Sequence, residues 1–226
     1  MSTVTMEQPV NNKVQVASPA EPVVKVGRRV IDFVLIGIGL LAAVVFTIAG
    51  GLLTWGNNFA GNYVHNELSS QHISFPSADA LQQQGRGDLA KWADHKVDTG
   101  KEAEAYASFI NGHLAAIANG ATYADLGTPE TAAKADVQAA KDAGKPQATI
   151  DQLQAKADAI TTQRNTMFKG ETLRGLLLSA YAWSTIGTIA GIAAIVAFGA
   201  AGVMFVLVIL GVVHVARTPR TTPKTT

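Results

Sequence analysis

Residues 175–216 read GLLLSAYAWSTIGTIAGIAAIVAFGAAGVMFVLVILGVVHVA, and none of them is Asp, Glu, Lys or Arg. As a helix this stretch would run about 63 Å, roughly twice the hydrocarbon core of a bilayer. A second charge-free stretch, Phe33 to Asn66, precedes it. Its polar later half follows Trp55, a residue suited to the headgroup level, so only Phe33 to Thr54 needs burial in lipid. At about 33 Å that segment matches a bilayer. The two stretches predict an all-α membrane protein with two transmembrane helices flanking an extracytoplasmic helical bundle.

Charge supplies the orientation. All 17 acidic residues except Glu7, Glu21 and Asp32 lie within residues 56–174. The 18 basic residues do too, apart from Lys13, Lys25, Arg28 and Arg29 at one end and Arg217, Arg220 and Lys224 at the other. Short basic flanks stay on the cytoplasmic side, whereas a long polar loop translocates with little regard to its charge. The expected organisation is a disordered cytoplasmic tail over 1–29, marked by Pro9, Pro19 and Pro22, and a first span over 30–55. An extracytoplasmic domain over 56–174 follows, then a juxtamembrane apolar helix over 175–185, a second span over 186–213 and a basic cytoplasmic tail over 214–226. Arg28-Arg29 before an apolar run invites a twin-arginine signal reading, but Val30-Ile31-Asp32 continues it poorly and no small-x-small cleavage site follows.

The second stretch is too long for one upright span. Counting from Trp183 as the outer belt, Ser184 to Val212 would cover about 44 Å. The reading adopted is that helix continues above the bilayer from Glu171 through Trp183 and the span proper begins near Ile186 to Ile189. Two short spans would need a polar turn that the sequence lacks.

The intervening segment reads as helices. Leu68 to Phe75 predict a short helix stopped by Pro76. Thr99-Gly-Lys-Glu102 has capping-box form for a helix ending near Asn119-Gly120, with a stripe of Ala103, Tyr106, Ile110, Leu114 and Ile117. Thr128-Pro129-Glu130 opens an alanine-rich helix that closes at Gly144, with Pro129 expected at its first position. Ile150, Leu153, Ala157 and Ile160 form a further stripe, so residues 129–160 are expected to project as a helical hairpin with a thin core. With no cysteine, the domain holds together by packing alone.

Chemistry-bearing patterns are few. Gly187 and Gly191 form a GxxxG whose small residues let helices approach closely, either within the chain against Gly37, Gly39, Ala43, Gly50 and Gly51 or between copies. Glu171 and Arg174, three apart, predict an ion pair or lipid contact at the membrane edge. His65, His72, His95, His113 and His214 show no metal-ligand spacing, and nucleotide-binding and nucleophile-elbow motifs are absent. No charge lies inside either span, which argues against proton relays and ion-coupled transport. Basic residues in the outer domain are outnumbered by acidic ones, so nucleic acid is not an expected partner.

Three stretches carry a resemblance: Leu68-Ser-Ser-Gln-His-Ile-Ser-Phe-Pro76; Val97-Asp-Thr-Gly-Lys-Glu-Ala-Glu-Ala-Tyr106 with Phe109, His113 and Tyr123; and Phe168-Lys-Gly-Glu-Thr-Leu-Arg-Gly-Leu-Leu-Leu-Ser-Ala-Tyr181. Over roughly Val30 to Val213 the chain resembles actinobacterial two-span membrane proteins of unknown function that are often labelled aromatic ring-opening dioxygenase. The resemblance implies an organism group and a topology. It does not imply the labelled reaction, because ring-opening chemistry of that kind needs iron on two histidines and a carboxylate and no spacing here supplies them. The expectation is a non-catalytic, cofactor-free plasma-membrane protein. It acts as a scaffold or accessory subunit, its partners being the bilayer and either a second copy or another membrane protein. The alternative is a lipid- or quinone-binding module, with Leu176-Leu177-Leu178 to Trp183 lining a pocket against the first helix. In both readings the candidate surface is Glu171, Arg174, Leu177, Tyr181 and Trp183.

Overall fold

A computed structural model describes residues 27–218. The expected tails fall largely outside that range, up to residue 26 at one end and from residue 219 at the other. The described chain is all-helical, with no strand and one isolated bridge between Ser74 and Lys96. In order it forms α1 (Arg28–Ser69), α2 (Ala78–Gln83), a 3₁₀ segment (Gly87–Trp92), α3 (Gly100–Ile117), α4 (Gly127–Asp142) and α5 (Gln147–Arg217). Helices α1 and α5 are both long and apolar enough to cross a membrane.

Two boundaries differ from expectation. Helix α1 does not end near Trp55 but continues through the asparagine-rich stretch to Ser69, because Ala60, Val64 and Leu68 repeat every fourth residue and stay buried. The helix expected over Leu68 to Phe75 is therefore absent. His72 instead takes a left-handed conformation at φ 52°. The chain beyond it is tied to the 95–97 segment by Phe75 N–H donating to His95 O at 2.9 Å and Val97 N–H to Ile73 O at 2.9 Å. Helix α5 is a single 71-residue element. The stripe Ile150 to Ile160, the juxtamembrane segment and the second apolar stretch all belong to this one rod, about 107 Å long.

Antiparallel pairing of α1 with α5 runs in a fixed register. A Cβ added at Gly211 would meet Ile36 at 3.0 Å, one at Gly39 would meet Val208 at 3.0 Å, and one at Gly50 would meet the Phe198 ring at 2.9 Å. Farther out, a Cβ at Gly191 would meet Asn57 Oδ1 at 3.0 Å and one at Gly187 the Ala60 Cβ at 3.0 Å. Small residues thus bring the two backbones together along the whole pair. Gly37 and Gly51 lie outside this seam, with nothing close to them.

Beyond the paired apolar region, Val64, Leu68 and Leu177 join Phe75, Leu81, Leu89, Val97, Ala103, Ala107 and Phe109 in one core. Phe75 stacks on Trp92 and meets Tyr106 edge-on, with centroids 6.2 and 5.1 Å apart. Of the stripe expected on α3, Ala103 and Leu114 are buried but Ile117 is 48% exposed, while Ala107 and Phe109 take core positions. Helix α4 packs on the base of α5 through Ala133, Val137 and Ala157, the thin alanine-lined core expected for that hairpin. Pro129 occupies the third helical position of α4, not the first, because the helix already begins at Gly127.

The capping box forms as expected. Thr99 Oγ1 accepts from Glu102 N–H, while Glu102 Oε2 accepts from the N–H groups of Asp98 and Thr99 at 3.1 and 3.0 Å. Burial raises the Glu102 pKa, but the donors on Asp98 and Thr99 outweigh it and the net direction is down. Thr99→Ala is expected to cost about 1 kcal/mol. Urea unfolding of the full chain in detergent, followed by Trp fluorescence, checks this.

Candidate ligand cleft at the junction of the long helices

Past Gly187, at the end of the pair away from Arg28 and Arg217, a cleft of about 330 Å³ lies between α1 and α5. Val64, Leu68 and Ile73 line one side and Leu173, Leu176, Leu177 and Ala180 the other, with Tyr63 and Trp183 at the same opening. Polar groups come from Glu67, Gln71 and Ser179, and Glu67 is the only charged residue among them. The volume sits at the low end of small-molecule sites, and an apolar lining with a few polar groups is their usual composition.

The cleft walls are not a sealed core. Leu177 is 2% exposed and anchors the floor in the main core, whereas Leu176 is 64% and Trp183 48% exposed. The register that sets Gly187 against Ala60 places Trp183 opposite Val64, about 13 Å farther along the axis than Trp55. Exposed apolar side chains continue from Val30 through Trp55, Phe59 and Tyr63 on α1 and from Val213 back through Ile186, Trp183 and Leu176 on α5, so the cleft lies within the far part of that band.

The sequence-predicted site residues divide. Gly187 and Gly191 lie against Ala60 and Asn57 of the same chain. Glu171 and Arg174 form their ion pair at 2.9 Å on the half-exposed face of α5. Leu177 and Trp183 come together in the cleft, but Leu177 is a buried floor residue and not a surface one. Tyr181 faces elsewhere, since a Cβ on Gly100 at the start of α3 would lie 3.4 Å from its Cα. Leu178 also departs from expectation and packs against the main core. Leu173 and Ala180 were missed, although their spacing with Leu176, Leu177 and Trp183 marks one face of a helix. Nothing in the sequence signalled Tyr63, Val64 and Ile73, because their place depends on the register of α1 against α5.

His65 and His72 border one depression beside the 96–98 segment, and the other histidines lie apart from it. His65 Nδ1 lies 3.3 Å from Asp98 O, His95 Nδ1 lies 3.5 Å from Glu102 Oε1, and His113 packs on the Phe109 ring. Among the described residues no group of three or more His, Cys, Asp or Glu could hold a metal ion.

No protein-family model, curated protein or solved structure matches the chain.

Proposed function

We propose that this is a non-catalytic two-pass membrane protein, with both termini cytoplasmic and residues 56–174 outside. It holds one lipid-class chain in the cleft between α1 and α5. The supporting observation is the apolar cleft lined by Tyr63, Leu176 and Trp183, which lies between two bilayer-compatible helices and begins about 12 Å beyond the level of Trp55. Exposed Leu176 at that position needs cover, and an acyl or isoprenoid chain supplies it at roughly 0.8 kcal/mol per buried CH₂. The actinobacterial plasma membrane suggested by the sequence resemblance belongs to the same proposal.

The test is mass spectrometry of lipid retained by the full chain after mild-detergent extraction from native membranes. A single lipid or quinone class is expected at near-stoichiometric level, and Ala180→Trp, which fills the cleft, lowers it more than about tenfold, as displacing a few buried CH₂ groups predicts. Retention of bulk lipid only, or no change in Ala180→Trp, would count against the reading.

A scaffold reading is favoured by one separate observation. Tyr123 and Phe168 pack with tilted rings, centroids 5.8 Å apart, while remaining 38% and 57% exposed, an aromatic pair suited to a protein partner. Loss of a co-purifying protein in Phe168→Ala, with lipid retention unchanged, would identify that role.

A further inference from the structure

We propose that the outward face of α1 just above the bilayer binds the headgroup of a neutral glycosyl lipid. This shares with the proposed function the reading that α1 crosses a membrane and one residue, Tyr63, which borders both the cleft and the groove. A groove of about 420 Å³ is lined by Trp55, Asn58, Phe59, Asn62, Tyr63 and Asn66. The residues form two ladders, aromatic at 55, 59 and 63 and amide at 58, 62 and 66, each with the four-residue spacing that keeps side chains on one helix face.

The aromatic ladder is continuous. Trp55 stacks on Phe59 with centroids 5.6 Å apart, and Phe59 on Tyr63 at 6.2 Å. The rings remain 67%, 54% and 51% exposed. An interfacial belt needs aromatics at one depth, but this strip climbs two turns, about 12 Å, past the level of Trp55. That reach exceeds the headgroup layer of a phospholipid and suits a headgroup that extends outward.

The amide ladder names the chemistry. Asparagine is a weak helix former, so three at regular spacing on an exposed face work against the local helix. Each amide offers two donors and an acceptor with two lone pairs, which matches vicinal hydroxyls. No Lys, Arg or His lines the groove, and the only Lys or Arg residues on α1 are Arg28 and Arg29 at its far end. A phosphate or sulfate headgroup would find no countercharge there. A pyranose presents C–H groups on one face, which the negative ring faces of the aromatic strip accommodate, and hydroxyls around its rim for the amides. The lipid tails would lie along the exposed apolar surface of α1 below Trp55, in the ordinary orientation of the outer leaflet.

The experiment uses the full chain in nanodiscs of phosphatidylcholine and phosphatidylglycerol doped with digalactosyl diacylglycerol. The lipids retained after transfer to mild detergent are quantified by mass spectrometry. The galactolipid is expected to be enriched at least about fivefold over its share of the nanodisc, as one or two net hydrogen bonds would give. Asn62→Leu, an exposed helical position, lowers the enrichment about fivefold, and Phe59→Ala lowers it independently. Asn62 and Phe59 lie outside the cleft lining, so both variants leave the lipid retained in the cleft unchanged, and failure of the cleft reading and failure of this one are separable. Retention in the supplied ratio, preference for phosphatidylglycerol, or enrichment untouched by Asn62→Leu and Phe59→Ala would each overturn the proposal.

Discussion

Gly187→Leu and Gly191→Leu are expected to separate α1 from α5 within one chain and to leave the oligomeric state as it was. A Cβ at Gly187 would sit 3.0 Å from the Ala60 Cβ and 3.5 Å from the Asn57 carbonyl oxygen, both fixed to the α1 backbone. Neither obstacle can rotate away, so the helices must move apart, and the three further carbons of leucine widen the gap. Gly191 is more forgiving, because its obstacle is the Asn57 side chain at 3.0 Å, which can turn. Overpacking of this kind costs about 1–3 kcal/mol where the structure can adjust, and Gly187→Leu belongs at the upper end. The measurement is the midpoint of thermal unfolding in detergent, paired with light scattering for mass. Gly187→Leu is expected to lower the midpoint most and Gly191→Leu less. Gly51→Ala has open space around it and gains helix propensity, so its midpoint is expected to hold or rise. A dimer that dissociates in Gly187→Leu with an unchanged midpoint would sink the assignment.

That contrast shows what the sequence carried and what it did not. GxxxG marked a close-packing face but not its partner, since small residues pack equally well against the same chain or a copy. The partner follows from the register of α1 on α5, a long-range property. Local signals fared better: the capping box at Thr99 formed, and the chain turns through left-handed backbone at Asn119, Gly120 and Gly144, where the helices were expected to end. Periodicity misled on α3 because Ile117 continues the apolar stripe by spacing but the packed face there is taken by Leu114 and Ala118, while Phe109 and Ala107 pack in the core with Val64, Leu68 and Leu177. The continuity of α1 through Asn57, Asn58, Asn62 and Asn66 was hidden by their polarity. Only one face of that segment needs to be apolar, and Ala60, Val64 and Leu68 supply it. A pocket against the first helix was expected, but the same misreading hid which of its residues form that wall.

Glu130 is the expected second site of large effect, this time confined to the outer hairpin. Its carboxylate accepts from Lys134 Nζ at 2.6 Å, Arg164 Nη1 at 2.7 Å and Thr161 Oγ1 at 2.8 Å, and so ties α4 to α5 beside the thin core of Ala133, Val137 and Ala157. Arg164 is held in turn over the Tyr123 ring at 4.2 Å. A core this small offers little apolar area, so the polar tie decides whether α4 stays docked. The Lys134 ammonium first, then Arg164 and Thr161, lower the Glu130 pKa from its ordinary 4.5 to about 2. A carboxylate whose pKa is lower folded than unfolded stabilises the fold above the unfolded value and loses that contribution as pH falls through the folded value. Docking of α4 is therefore expected to be at full strength above about pH 5 and to weaken progressively from pH 4.5 toward pH 2. Hydrogen exchange across Gly127–Asp142, referenced to the α1–α5 pair, follows this directly. At neutral pH Glu130→Ala should raise exchange in α4 by more than about tenfold, because it leaves Arg164 and Thr161 without their shared acceptor. Glu130→Gln keeps an acceptor for Thr161 but removes the charge, so it should show intermediate exchange with no acid-dependent step in that window. Wild-type protection that stays flat down to pH 2, or a Glu130→Gln profile that still falls with the wild type, would assign the docking of α4 to its alanine core alone.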